Sequence, residues 1–360
     1  MKKIFQIGAG LVGKTMALDL SKNFELHLAD SNLDLLHSIK SESNNIKIKQ
    51  LDVNDQNSLS NWIKDADIVL LAVPGFLGFN ALKTIIENGK DVVDISFAPE
   101  NVLKLNDLAI QNNVIAVVDA GVAPGIPNFL LGYWNSKITV NSFDYVVGGL
   151  PQNPVPPYNY KAPFSPIDVI EEYIRPARMI IDSKIITKPA LSEIEILDIL
   201  DVGQLEAFNT DGLRSLLSTM SHIPNMKEKT LRYPGHAKQM QRMSSEGFFN
   251  KNNIQETAKN LFDSWKLEEG EEEFTVLDIN IFGEEKNIHY HLYDVYDKKT
   301  KSSSMSRTTG YTATATVNML AKNIWNHQGV SPPEIVGSNK ECIDFLVTFL
   351  NERNISLTLL

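Results

Sequence analysis

The clearest chemistry lies near the N-terminus, in the run Gly8-Ala9-Gly10-Leu11-Val12-Gly13. This GxGxxG spacing follows a strand-like segment, 3–7, and opens a helical pattern. In a first βα turn such a run seats a dinucleotide pyrophosphate. Gly8 permits the tight turn, Gly10 lets the backbone approach the phosphates, and Gly13 lets the helix pack close to the strand. The N–H groups of Leu11 and Val12, at the positive end of the helix, then face the negative charge. Asp30 ends the second strand-like run, about 20 residues past the glycines, where a carboxylate meets the ribose hydroxyls. A carboxylate there repels a 2′-phosphate, and no arginine follows it in Ser31-Asn32-Leu33. NAD is therefore expected over NADP.

Further contacts follow from topology, because ligands of open α/β sheets bind outside the carboxyl ends of the strands. Asp52 and Val53, after the third strand, are expected at the adenine edge. Val73 and Pro74, with Gly75, follow the fourth strand and fall near the middle of the cofactor. Ser96, in Asp94-Ile95-Ser96 after the fifth, approaches the nicotinamide side.

The elements that must position these residues read as a βα alternation. Strands are expected at 3–7, 25–29, 47–51, 68–73, 91–95 and 114–118, with amphipathic helices at 12–22, 33–41, 58–65 and 81–88. Regular alternation implies right-handed crossovers and a Rossmann-type, doubly wound parallel sheet. The wholly apolar run Ile68-Val69-Leu70-Leu71-Ala72-Val73 fits a central strand buried on both faces. After Pro127 the rhythm changes. A strand at 143–149 runs into a loop with Pro151, Pro154, Pro156 and Pro157. Strands at 184–187, 274–282 and 286–294 are interleaved with helices at 212–220 and 254–261, the pattern of an α+β domain with an antiparallel sheet. Helical runs at 311–325 and 340–352 return the chain to its first domain. The expected organisation is a Rossmann domain over 1–120, completed by helices in 310–360, and an α+β domain over 121–309. The acidic run 268–273 reads as a solvated loop.

Composition sets the outer limits. Of 360 residues, 43% are hydrophobic and 22% charged, enough for two well-formed cores. A net charge of −10 and the lack of a basic stripe argue against nucleic-acid binding. Cys342 is the one cysteine, so no intrachain disulfide or cysteine-built metal site is expected. The first residues enter a strand without an apolar signal core, and no segment holds 18 uninterrupted apolar residues. The expectation is a cytoplasmic protein without a membrane span. His289 and His291 share one face of a strand, but no third ligand is placed by any known spacing, so they read as packing or surface residues. No GxSxG or Walker loop occurs, against serine hydrolase and P-loop chemistry.

The remaining motifs carry a resemblance. They are Asp119-Ala120-Gly121-Val122-Ala123-Pro124-Gly125, Gly148-Gly149-Leu150-Pro151, the segment from Tyr160 through Lys161 to Pro166, and Thr230-Leu231-Arg232-Tyr233-Pro234-Gly235-His236. Together they resemble the saccharopine dehydrogenase (saccharopine reductase-like) family. The segments 171–178 and 205–214 narrow the likeness to its lysine 6-dehydrogenase branch. One departure matters. Ala123 stands where saccharopine reductases usually carry Asp, which fits a smaller amino-acid substrate better.

The resemblance implies NAD-dependent oxidation of L-lysine at its ε-carbon, releasing ammonia and a semialdehyde that cyclises. That reaction needs a base for the ε-ammonium, a fixed cation for the α-carboxylate, and an anchor for the α-ammonium. His236 is the expected acid/base, because its ordinary pKa lies nearest neutrality. Lys161 and Asp119 are rivals for that role. Arg232 is expected to bind the carboxylate from a loop, with a salt bridge joining two loops as the lesser alternative. Arg214 is a second candidate or a helix-surface residue, and Asp211 is an ammonium anchor or an N-cap. Tyr160 and Tyr233 supply hydroxyls and a wall. The alternatives are a saccharopine dehydrogenase using Arg175, Arg178 and Lys161 as extra cations, a carboxyspermidine-type reductase, and a catalytically silent NAD-binding scaffold or sensor. Family likeness also implies a homo-oligomer, either a homodimer assembled through the second domain's sheet or a higher assembly.

Overall fold

Six short strands and the helices between them open the chain: β1 (Lys3–Ile7), β2 (Glu25–Asp30), β3 (Lys47–Gln50), β4 (Ile68–Leu71), β5 (Asp91–Asp94) and β6 (Ile115–Val117). The computed structural model describes residues 1–268 and 270–360; Glu269 of the acidic run lies outside them. Among the described residues a seventh strand, β15 (Gly329–Ser331), completes a sheet ordered β15-β6-β5-β4-β1-β2-β3. Every pairing in it is parallel. β4 is buried throughout, as its unbroken apolar run requires. β3, with Lys47, Lys49 and Gln50, forms the polar edge. The strand order reverses between β1 and β4, which places the ligand crevice of this sheet at the end of β1, beside the glycine run.

The chain divides into two units, Met1–Tyr133 with Ser306–Asn354, and Trp134–Met305 with Ile355–Leu360. The first therefore extends past residue 120. The helix Ile126–Asn135 explains why: a Cβ on Gly132 would lie 2.0 Å from the Glu334 carbonyl oxygen, and Asn128 Nδ2 donates to Glu334 Oε2 at 3.0 Å. The last six residues belong to the second unit, because β16 (Thr358–Leu359) pairs with β14 (Asn287–Val295). The expected helix at 311–325 begins earlier, at Ser304, and ends at Ala321.

The second unit carries β7 (Val140–Pro151), β8 (Ala177–Ile181), β9 (Lys184–Lys188), β10 (Glu195–Ile199), β11 (Gly203–Asn209), β12 (Asn225–Arg232) and β13 (Glu273–Gly283), with β14 and β16. Its main path runs β10-β11-β12-β7-β13-β14-β16, and β8 joins β12 to β9. The sheet is mixed rather than antiparallel throughout, since β12 pairs with β7 in parallel. β12 reads as polar, with Lys227, Glu228 and Lys229, yet Glu228 and Lys229 are buried. The run expected to be solvated also ends inside: Glu273 starts β13, is buried, and accepts from Met305 N at 3.1 Å. Helices Pro166–Ile174, His236–Ser245 and Ile254–Trp265 pack on one face through Val169, Ile170, Met240, Leu261 and Trp265. Among the described residues no helix is long and apolar enough to cross a membrane.

Candidate functional site

The glycine run is shaped by steric necessity. Gly8 has φ +106°, and a Cβ on it would lie 2.1 Å from the Ala72 carbonyl oxygen. A Cβ on Gly13 would lie 2.4 Å from the Gly8 carbonyl oxygen, so both glycines are demanded by the protein's own packing. Gly10 is different: a Cβ there meets nothing within 4 Å. Its open side is the room that a pyrophosphate would need. Gly10 begins the helix Leu11–Leu20 in extended conformation, and no side chain among the described residues caps it. The N–H groups of that first turn, from Leu11 and Val12 onward, are the natural seat for an anion.

Asp30 closes the back of this cradle. Its Oδ2 accepts from Ala9 N at 2.7 Å and its Oδ1 from Asn32 N at 2.8 Å. The sequence reading missed Gln6, whose buried Nε2 donates to the carbonyls of both Gly8 (2.9 Å) and Gly13 (2.7 Å). Further along the rim, Asp52 Oδ1 accepts from Asn54 N and Nδ2 at 2.9 and 3.0 Å. Val53 and Val73 pack against the core, and Pro74 precedes the helix Gly75–Glu87. Ser96 is buried, its N–H donates to Asp94 Oδ1 at 2.8 Å, and Gly78 leaves it space. Asp119 is buried at the end of the β6 segment with φ +54°, and Ala120 N donates to the Asp94 carbonyl at 3.2 Å. Asp is one of the few non-glycine residues that adopts this left-handed conformation readily. These residues fit a dinucleotide cofactor.

In the second unit, three of the expected residues converge. Arg232 is the last residue of β12, on a strand rather than in a loop, and its side chain is 3% exposed. Its Nε donates to the Tyr173 hydroxyl at 3.1 Å, Nη1 to the Leu231 carbonyl at 2.9 Å, and Nη2 to Glu172 Oε2 at 3.0 Å. The guanidinium also lies 4.4 Å from the centre of the Tyr160 ring. Of the uses weighed for Arg232, internal bridging is the one these contacts display. His236 stands at the start of its helix, with Nδ1 2.9 Å from the Tyr158 carbonyl and Nε2 2.9 Å from the Tyr173 hydroxyl. The carbonyl can only accept, so Nδ1 carries the proton and Nε2 accepts from the tyrosine. Burial, and then the Arg232 charge, push His236 down to about 3. A neutral ring with both nitrogens engaged does not match the acid/base expected at this position. Tyr173 is pushed up to about 12, chiefly by burial, and Trp265 packs edge-on against Tyr158, Tyr160 and Tyr173.

The other expected residues have separate partners. Arg178 grips Asp211 through Nε (2.9 Å) and Nη2 (2.8 Å), so Asp211 is neither an N-cap nor an open ammonium anchor. Arg214 lies in a turn with φ +47°, ahead of the short helix Leu216–Thr219, rather than on a helix face. Lys161 Nζ donates to the Lys266 carbonyl at 2.9 Å, and Tyr233 donates to the Pro151 carbonyl at 2.8 Å. Glu206 accepts from Gly235 N at 2.7 Å and from Ala237 N, fixing the turn that carries His236. Buried Glu228 accepts from Thr210 Oγ1 (2.7 Å) and Gly212 N (2.9 Å), and burial pushes it up to about 8. His291 is buried with Nδ1 2.6 Å from Asp278 Oδ1, and His289 Nε2 is 3.6 Å from the same oxygen. Among the described residues, no group of three or more His, Cys, Asp or Glu could hold a metal ion.

Some missed residues had a signal. Glu172 and Tyr173 sit in the segment that carried the family likeness, and Val169, Ile170 and Tyr173 share helical spacing. Glu228 gave none, because nothing local marks a carboxylate as buried.

Comparison with known proteins agrees with this geometry. Residues 4–117 match the saccharopine dehydrogenase NADP binding domain, and residues 121–355 match the saccharopine dehydrogenase C-terminal domain. The mitochondrial alpha-aminoadipic semialdehyde synthase of Mus musculus is 24% identical over 266 residues, 69% of this chain and 29% of that protein. The NADP(+), L-glutamate-forming saccharopine dehydrogenase of Schizosaccharomyces pombe is 26% identical over 158 residues, 42% of this chain and 35% of that protein. The chain thus spans about a third of the length of these relatives. The apo L-Glu-forming saccharopine dehydrogenase of Saccharomyces cerevisiae shares the fold, with a TM-score of 0.79 and 18% identity, over 100% of this chain and 99% of that one. With both domain models matched across nearly its whole length, the chain belongs to the saccharopine dehydrogenase family.

Proposed function

We propose that this protein is a nicotinamide-dinucleotide oxidoreductase that acts on an amine-bearing carbon of a lysine-type amino acid, with NAD preferred and L-lysine as the substrate. The observation that carries the reading is the glycine cradle: Gly8 and Gly13 are required by packing, while Gly10 alone faces open space. When bound, the nicotinamide supplies the hydride acceptor. Asp30 supports the NAD preference, since its carboxylate holds Ala9 N and would repel a 2′-phosphate. The family match bears the name of an NADP binding domain, so the preference rests on Asp30 and on the lack of a following arginine.

For proton removal from the substrate ammonium we favour Asp119 over His236 and Lys161. Asp119 is buried on the same rim as Ser96 and Asp94. His236 is neutral and occupied on both sides, and Lys161 is held by a backbone carbonyl. Arg232, with Tyr160, Glu172 and Tyr173, is proposed to brace the second unit from within. Ala123, in place of the Asp usual in saccharopine reductases, supports lysine over saccharopine.

The deciding experiment follows NADH or NADPH formation by the purified chain with L-lysine, saccharopine, ornithine and carboxyspermidine, at neutral and alkaline pH. Turnover of lysine with NAD, giving an o-aminobenzaldehyde-positive product, is the expected result. Turnover of saccharopine alone would replace the substrate assignment. Dinucleotide binding without turnover of any amine would leave a silent binding protein.

A further inference from the structure

β1 points apolar side chains into the core at Ile4, Phe5 and Ile7, yet Gln6 between them is also fully buried. Its Nε2 spends both hydrogens on the glycine run, one on the Gly8 carbonyl at 2.9 Å and one on the Gly13 carbonyl at 2.7 Å. Gly8 ends the strand side of the turn, and Gly13 lies in the first turn of the helix Leu11–Leu20. The amide therefore clamps the two ends of the cradle together from beneath. A Cβ on Gly13 would approach Gln6 Nε2 to 3.4 Å as well as the Gly8 carbonyl, so Gly13 leaves room for the clamp.

The arrangement has a cost that the fold does not need. Gln6 Oε1 is buried with no hydrogen-bond partner among the described residues. A buried polar atom left unsatisfied calls for a compensating role, and a Leu or Met at this position would fill the same space without it. We propose that Gln6 is a positioning residue for the dinucleotide. It holds the Gly8 and Gly13 carbonyls so that the N–H groups following Gly10 stay aimed at the pyrophosphate. Gln6 is buried beneath the loop and acts through it. The inference rests on the dinucleotide-binding reading given above.

The test compares the full chain with Gln6→Met, which keeps the volume and loses both donors, and with Gln6→Leu. NADH and NADPH are titrated by fluorescence, thermal midpoints are measured without dinucleotide, and amide exchange is followed at residues 10–13. The expected result is roughly tenfold weaker dinucleotide binding, the scale of one or two lost hydrogen bonds. Faster exchange at 10–13 should accompany it, with a thermal midpoint close to that of the parent. Unchanged affinity in either folded variant overturns the proposal. So does unfolding of both variants, which would make Gln6 a member of the global core. If the parent chain binds neither dinucleotide, the dinucleotide reading itself fails, and that result is distinct from the other two.

Discussion

The Tyr173 hydroxyl lies 2.9 Å from Nε2 of His236 and receives a hydrogen bond from Arg232 Nε at 3.1 Å. One proton order satisfies all three groups: the guanidinium donates to the phenol oxygen, and the phenol donates to the imidazole. The Tyr158 carbonyl fixes the far end by accepting from Nδ1. The histidine is thereby held neutral inside a cationic neighbourhood, and its contribution is to order the turn that opens the helix His236–Ser245.

That neutrality has a pH signature. The folded-state value of His236, about 3, lies below the ordinary 6.5 of an unfolded chain. The unfolded state therefore binds the proton first as pH falls. The stabilisation is whole above about pH 6.5 and is lost progressively as pH drops toward 3. Between about pH 7 and about pH 5 the parent should lose about 2 kcal/mol more stability than His236→Gln. Urea midpoints of both proteins across that range measure the difference. Parallel curves would show that the ring titrates normally in the folded state.

The three cradle glycines should separate sharply on substitution. Gly8→Ala drives a methyl to 2.1 Å from the Ala72 carbonyl oxygen, at a φ that alanine resists. Gly13→Ala forces a contact of 2.4 Å with the Gly8 carbonyl oxygen. Both should lower the thermal midpoint, by several degrees at least. Gly10→Ala meets no protein atom, so its midpoint should stay near that of the parent while dinucleotide affinity falls more than about tenfold. Equal loss of stability at all three positions would mean that Gly10 serves the fold and not a ligand.

The parallel sheet was legible because burial on both faces writes itself into unbroken apolar runs, as in Ile68-Val69-Leu70-Leu71. The glycine run was legible because its constraints are local. The second unit was only partly so. β12 hides Glu228 and Lys229 in the interior through partners distant in sequence, Thr210 and Gly212 for the carboxylate and Glu195 for the ammonium. No window of local sequence contains those partners, so the strand reads as polar. Arg232 was recognised as important, but its contacts with Glu172 and Tyr173 come from a helix about 60 residues earlier and could not be foreseen.

Asp30 should set the dinucleotide preference and also hold the loop. Asp30→Ala removes the acceptor for Ala9 N, which weakens binding of both dinucleotides. It also removes the charge that opposes a 2′-phosphate, so NADPH should lose less than NADH. The ratio of the two dissociation constants is expected to move at least about tenfold toward NADPH. Fluorescence titration of parent and variant with both dinucleotides measures it. A ratio that does not move would place the discrimination elsewhere on the rim.

Glu228 gives a stability signature of opposite sign to that of His236. Burial raises it from 4.5 to about 8, so the folded state keeps a proton that the unfolded chain gives up much earlier. Its contribution is whole below about pH 4.5 and is lost as pH rises through about 8. Glu228→Gln keeps a neutral side chain of the same shape beside Thr210 and Gly212, and has no proton to lose. Relative to the parent, the variant should gain stability steadily from about pH 5 to about pH 8. Urea midpoints again supply the measurement, and the difference between the two proteins isolates this group from Glu273, which burial also raises to about 8. A constant difference across that range would show that Glu228 is ionised in the folded protein. Its two short contacts would then be charge-assisted bonds that hold the Thr210–Gly212 turn.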